Sequence, residues 1–99
     1  MLHIVNKSPY ERNGLEACLR LAQAGSAVLL IEDGVYAATR GNAAEAKLRE
    51  AMKQVAVYAL APDLDARGMS ARVIDGIRLV DYGGFVDLVC EQPNCQSWL

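Results

Sequence analysis

The stretch AVLLI at residues 27–31, followed at once by EDG at residues 32–34, decides the fold of this chain. Five consecutive apolar residues are too few to span a membrane, and no polar position among them would give a helix a solvent-facing side. They predict a strand buried on both faces, which in a small domain means the centre of a parallel sheet covered by helices. Open α/β sheets expose functional groups at the carboxyl ends of their strands, so residues 32–34 mark a candidate working edge.

Strand and helix patterns alternate on both sides of this stretch. Apolar or β-rich segments predict further strands at 1–5, 54–60 and 77–80, and the tail at 96–99 is either an edge strand or a packed terminus. Helices are predicted at 8–25, 43–52, 62–68 and 81–93, with one helical turn at 37–40. The predicted fold class is therefore α/β: a single three-layer domain, residues 1–99, whose sheet of about four mainly parallel strands is flanked by helices and wound as in flavodoxin-like and Rossmann-like proteins.

Two of these helices carry clear start signals. In the first, Ser8 is the predicted N-cap, Pro9 the first helical residue and Glu11 the capping-box partner. An apolar stripe follows at positions 15, 18, 19 and 22, and Gly25 is the predicted end. In the last helix Asp81 is the predicted N-cap, and the apolar face holds positions 85, 88 and 89.

Composition excludes several classes of function. The chain has 99 residues, 53% of them hydrophobic, and a net charge of −2. Its ten basic residues are scattered, which argues against direct binding to nucleic acid, since phosphate neutralisation needs clustered Lys and Arg. No apolar stretch reaches the length of a membrane-spanning helix and no signal-peptide pattern is present, so we expect a cytoplasmic protein that does not enter the membrane.

The three cysteines are Cys18, Cys90 and Cys95, and the one histidine is His3. Their spacing does not support a zinc site, no phosphate-binding glycine loop is present, and we expect no cofactor. Cys18 lies on the apolar stripe of the first helix, where it is either a small core residue or a thiol that accepts sulfur. Cys90 is expected to pack and Cys95 to be exposed, while His3 is expected to be a packed or hydrogen-bonded strand residue.

The remaining polar and aromatic candidates concern the working edge and an interface. Adjacent residues at a strand end point to opposite sides, so Asp33 is interpreted as the N-cap of the following turn and Glu32 as a solvated carboxylate. Trp98, Tyr36 and Tyr82 are the candidate interface residues, because large aromatic side chains commonly anchor interfaces. Trp98 is the strongest of them, since a terminal tryptophan is exposed unless the fold or a partner buries it.

A set of segments spread over nearly the whole chain resembles the DsrH/TusB family. They are Leu2-His3, Asn6-Lys7-Ser8-Pro9, the run from Leu29 to Ala38, Asp63-Leu64-Asp65-Ala66-Arg67-Gly68, Asp81-Tyr82, Phe85-Val86-Asp87-Leu88 and Trp98. The resemblance implies a subunit of a cytoplasmic sulfur-relay complex, a heterohexamer with DsrE/TusD-like and DsrF/TusC-like subunits. Such complexes pass persulfide sulfur to an acceptor of the DsrC/TusE type, in sulfur oxidation or in 2-thiolation of the tRNA wobble uridine.

The resemblance also bears on Cys18. A cysteine in the first helix is typical of DsrH-like members, so Cys18 becomes a candidate persulfide carrier and the branch leans toward DsrH. The main sulfur-carrying cysteine of these complexes is expected on the DsrE/TusD-like subunit, and nothing carries over to Cys90 or Cys95. Two other hypotheses stay open: a scaffold subunit without chemistry of its own, and a stand-alone homodimer that binds a small ligand near Asn6 and Asp33.

Overall fold

Five parallel strands form the sheet of the computed structural model, which describes residues 1–8 and 14–98. They are β1 (Leu2–Val5), β2 (Ala27–Leu30), β3 (Ala56–Leu60), β4 (Arg78–Val80) and β5 (Cys95–Trp98). Their order is β4-β3-β2-β1-β5, with every neighbouring pair parallel. The α/β prediction is confirmed, but the expected count of about four strands is one too low, because the tail joins the sheet beside β1.

Four α-helices connect the strands within the described residues: α1 (Gly14–Leu21), α2 (Glu45–Ala51), α3 (Ala61–Ala66) and α4 (Tyr82–Glu91). Two 3₁₀ helices, Glu32–Ala38 and Ser70–Arg72, fill the loops after β2 and α3. The predicted start of the first helix falls on residues 9–13 and so lies outside the described residues. That helix ends at Leu21, earlier than expected, and Gly25 instead forms the turn into β2 with a φ of 89°.

The sheet separates two apolar layers, because successive side chains of a strand point to opposite faces. On one face Val5, Val28, Leu30, Val57 and Ala59 form the larger core cluster with side chains from α1, α2 and α3, among them Leu15, Cys18, Leu48 and Leu64. On the other face Leu2, Ala27 and Leu29 pack against Leu88 of α4. The predicted three-layer arrangement is confirmed, with most of the helical cover on one side.

Local signals place α4 and α3 as expected. The Asp81 carboxylate accepts a hydrogen bond of 2.8 Å from the Gly84 backbone N–H, which makes it the N-cap that the sequence predicts. Pro62 lies in the first turn of α3, where its missing N–H costs nothing. None of the helices within the described part of the chain is long and apolar enough to cross a membrane.

Candidate functional site

The carboxyl edge of the sheet brings two acidic side chains to one arginine. The Arg67 guanidinium, just after α3, donates to Asp33 Oδ1 from Nε at 3.0 Å and from Nη2 at 2.9 Å. Its Nη1 donates to the Asp63 backbone carbonyl at 3.1 Å. Arg67 therefore joins the loop that follows β2 to the helix that follows β3, two segments far apart in sequence.

This pairing overturns one expectation from the sequence. Asp33 does not cap the turn after β2: Ile31 occupies the N-cap position of the 3₁₀ helix, and no side chain makes a cap bond there. The Asp33 carboxylate is instead held by Arg67, whose guanidinium donates two hydrogen bonds to it and also carries the opposite charge. Glu32 is solvated as expected, and its backbone N–H donates to Asp63 Oδ2 at 2.7 Å.

The loop after β2 also lies directly against the end of β1. A Cβ atom added to Gly34 would lie 2.2 Å from the Val5 carbonyl oxygen, closer than any side chain can approach. Ile31 N–H donates to the same carbonyl at 3.0 Å. Next to Val5, the Oδ1 atom of Asn6 is buried and has no hydrogen-bond partner among the described residues. Close backbone contacts thus build this edge, and Asn6 Oδ1 is the one buried side-chain polar atom left without a partner within the part that the structure describes.

The three cysteines occupy two different environments. Cys18 is completely buried in the larger core cluster, and desolvation raises the pKa of its thiol to about 12. Cys90 and Cys95 are exposed. For Cys95 this agrees with the sequence, whereas the expectation that Cys90 packs is wrong, because Leu88 faces the sheet and Cys90 lies on the solvent side of α4. The candidate carrier Cys18 is the least accessible of the three thiols.

The candidate interface aromatics also differ in exposure. Trp98 is half-buried: its Nε1–H donates to His3 Nδ1 at 3.1 Å, and its side chain packs against the larger core cluster, which includes Leu15 and Cys18 of α1. Tyr36 is half-buried, whereas Tyr82 is 62% exposed at the start of α4. Trp98 therefore helps to hold β5 against β1 and α1, and Tyr82 presents the most open aromatic surface of the three.

Buried His3, hydrogen-bonded to half-buried Trp98, makes the stability of the chain depend on pH. Burial lowers the pKa of His3 below its ordinary value of 6.5, and the nearby N-terminal ammonium lowers it further. The unfolded chain then binds a proton at higher pH than the folded chain, so this contribution to stability is complete above pH 6.5 and falls below it. Protonation also removes the Nδ1 acceptor of the Trp98 bond.

We therefore expect the melting temperature to fall as the pH is lowered from 7.5 to 5.5, by an amount that a His3→Gln variant reduces. Thermal unfolding by circular dichroism measures this, and fluorescence of Trp98, the one tryptophan of the sequence, reports the loss of the pair. An unchanged pH profile in the variant would assign the effect to carboxylates instead.

Two contacts of this site, Arg67 with Asp33 and His3 with Trp98, could not be predicted from the sequence. Asp63 and Arg67 are four residues apart on a helical segment, which predicts contact with each other but not with Asp33. Nothing local links His3 to Trp98.

Among residues 1–8 and 14–98, no group of three or more His, Cys, Asp or Glu side chains is placed to hold a metal ion.

The chain is similar to known proteins along nearly its whole length. The model of a family described as DsrH like protein matches residues 7–95. Protein TusB of Escherichia coli K12 is 41% identical over 98 residues, which cover 99% of this chain and 100% of that protein. Protein TusB of Pectobacterium parmentieri is 38% identical over 98 residues, with the same coverage.

Solved structures share the fold at lower identity. The crystal structure of the YchN protein of E. coli matches with a TM-score of 0.80 and 22% identity, covering 97% of each chain. The structure of MTH1491 of Methanobacterium thermoautotrophicum, described as a protein of unknown function, matches with a TM-score of 0.77 and 20% identity over 97% of this chain and 95% of that one. At these identities the likeness is one of fold.

Proposed function

The chain belongs to the DsrH family, and from this membership we propose that it is a subunit of a sulfur-relay complex that serves 2-thiolation of the tRNA wobble uridine. One observation carries the proposal: identity of 41% with E. coli TusB along the entire length of both chains. The segments behind the resemblance also have structural roles here. Asp63 and Arg67 hold the loop after β2, Asp81 caps α4, and Trp98 anchors β5.

The relatives distinguish between the two branches that the sequence left open. The presence of Cys18 in the first helix favoured the DsrH branch and sulfur oxidation. The relatives that match along the whole chain, however, bear the name TusB. This favours tRNA thiolation. The proposal of a stand-alone ligand-binding homodimer has no comparable support.

The partners of this subunit are part of the proposal. We expect DsrE/TusD-like and DsrF/TusC-like subunits to assemble with this chain into a heterohexamer, with a DsrC/TusE-like protein as the sulfur acceptor, in the cytoplasm. The scattered basic residues and net charge of −2 support contact with protein partners and not directly with tRNA. The main persulfide is expected on the DsrE/TusD-like subunit.

The experiment is reconstitution of the complex from this chain and the DsrE-like and DsrF-like subunits of the same organism. We expect the three chains to elute together from size exclusion, and sulfur transfer to the acceptor to require this chain. Full transfer by the other two subunits alone would refute the proposal, as would a failure of this chain to join them.

A carrier role for Cys18 is a separate part of the proposal, and it requires that its buried thiol become accessible in the complex. In the transfer, the Cys18 thiolate attacks the outer sulfur of a donor persulfide. A new S–S bond forms at Cys18, the donor S–S bond breaks, and the donor leaves as a thiolate. With a pKa of about 12, very little thiolate is present near neutral pH in the isolated chain.

Intact-mass spectrometry after incubation with a persulfide donor tests this role. In the isolated chain we expect any added sulfur on the exposed Cys90 and Cys95, so the Cys18→Ser variant gains as much as the wild type. A carrier role predicts that within the complex the wild-type chain gains one more sulfur than Cys18→Ser does. Equal gain in the complex, with normal loading of the DsrE-like subunit, would leave Cys18 a packing residue.

A further inference from the structure

The outer surface of α4 is apolar along one side. Tyr82, Val86 and Val89 are 62%, 59% and 38% exposed, and their spacing of four and three residues places them in one row. Cys90, also exposed, follows Val86 by four residues and extends the row. We call these four residues the α4 row. Three large exposed apolar side chains on one ten-residue helix form a patch, which single scattered apolar residues do not.

The sheet beside α4 is thinly covered. On its other face, α1, α2 and α3 bury the core, whereas α4 supplies the helical side chains that pack on this one. Ile4, Ile31, Tyr58 and Val80 remain only half-buried there, next to Phe85 of α4. An apolar surface that extends from a helix onto the neighbouring sheet is typical of a protein–protein contact.

The charges on α4 indicate what kind of partner fits. Asp87 and Glu91 lie exposed beside the α4 row, and exposed Asp81 precedes the helix. The helix itself, YGGFVDLVCE, contains no lysine or arginine. A second copy of this chain would bring acidic α4 against acidic α4, because a two-fold interface pairs the same surface with itself. On the neighbouring sheet, exposed Arg78 lies over the Tyr58 ring, so the acidic border is that of α4 itself. A partner with an apolar centre and a basic rim complements α4 in both respects.

We propose that the α4 row, together with its acidic border of Asp81, Asp87 and Glu91, forms the docking surface for another subunit of the relay complex. The contacting surface of that subunit is apolar at its centre and edged with lysine or arginine. The inference rests on the proposed function, since it assigns a surface to a partner of that complex. Val86 lies in the middle of the row and is the anchor whose change disturbs docking most.

The test compares Val86→Lys with Leu21→Lys in the reconstituted complex. Leu21 is a matched control because it is 66% exposed near the end of α1, outside this surface, so both variants place a lysine on an exposed apolar helical site. We expect Val86→Lys to weaken assembly at least about tenfold, which corresponds to about 1.4 kcal/mol, because a charged side chain replaces the apolar anchor, while Leu21→Lys assembles like the wild type. Circular dichroism checks that both variants are folded.

Two further measurements report on the contact: the Asp87→Lys variant tests its charge, and the reactivity of the native Cys90 thiol tests its position. Asp87→Lys is expected to slow association and to reduce its dependence on salt. Alkylation followed by peptide mapping is expected to modify Cys90 quickly in the free chain and slowly in the complex.

Each outcome has a distinct meaning. If the wild type assembles and Val86→Lys assembles equally well, with Cys90 still reactive in the complex, the docking inference is wrong and the proposed function stands. If the wild type does not assemble at all, the proposed function fails first. If Val86→Lys instead converts a dimer of this chain to a monomer, the surface binds a second copy and the proposed partner is wrong.

Discussion

Replacement of Gly34 by alanine is expected to lower the free energy of unfolding by at least about 3 kcal/mol, the upper end of the usual cost of overpacking. The added Cβ would lie 2.2 Å from the Val5 carbonyl oxygen and 3.0 Å from its carbon. Both atoms are backbone of a buried strand and cannot rotate aside as a side chain would. The Ile31 N–H bond to the same oxygen would be lost as the loop moves away.

Gly83→Ala is the matched control for this prediction. Gly83 lies in the first turn of α4, and an added Cβ there would approach only Asp81 Oδ1, at 3.4 Å. Alanine is favoured over glycine in a helix, so this variant is expected to be neutral or more stable by roughly 0.5–1 kcal/mol. Urea unfolding followed by circular dichroism measures both. A Gly34→Ala variant within about 1 kcal/mol of the wild type would mean that the loop and β1 are not in contact in solution.

Removal of the Trp98 side chain has the second largest expected effect. Trp98→Ala should lower the free energy of unfolding by about 3 kcal/mol, the lower end of the range for truncation of a large aromatic residue, since Trp98 is only half-buried. The change also leaves His3 Nδ1 without its donor in a buried position. Because β5 lies at the edge of the described sheet, beside β1, we expect this strand to detach first.

Trp98→Phe separates packing from hydrogen bonding. It keeps an aromatic ring against the larger core cluster and removes the N–H donor with part of the ring, so its expected cost is about 1–2 kcal/mol. Hydrogen exchange of the β5 and β1 amides would show the detachment directly. If Trp98→Ala left the isolated chain fully stable but prevented assembly with the partner subunits, Trp98 would be an interface residue.

The sequence alone predicted the α/β class, the places of β1 to β4 and the N-cap of α4. These features are local: an unbroken apolar run, a helical period and an aspartate just ahead of an apolar helical face are visible within a dozen residues. The tail stayed ambiguous, because Gln96 and Ser97 are polar and exposed, and only the partner strand makes them an edge strand. Cys90 was misplaced because its packing was inferred from the helix C-terminus, which disfavours a thiolate but does not show which side of α4 the sheet covers.

The contacts of the candidate site were decided by the tertiary structure. Arg67 and Asp33 are 34 positions apart, and His3 and Trp98 are 95 apart, so no local pattern links either pair. Strand order and parallel register bring each pair together, and these depend on how the whole sheet packs. The sequence by itself determined the alternation of strand and helix, because that follows from the burial of neighbouring residues. Only the tertiary structure decided that Cys18 is sealed in the core while α4 faces outward, because burial depends on which elements cover each face.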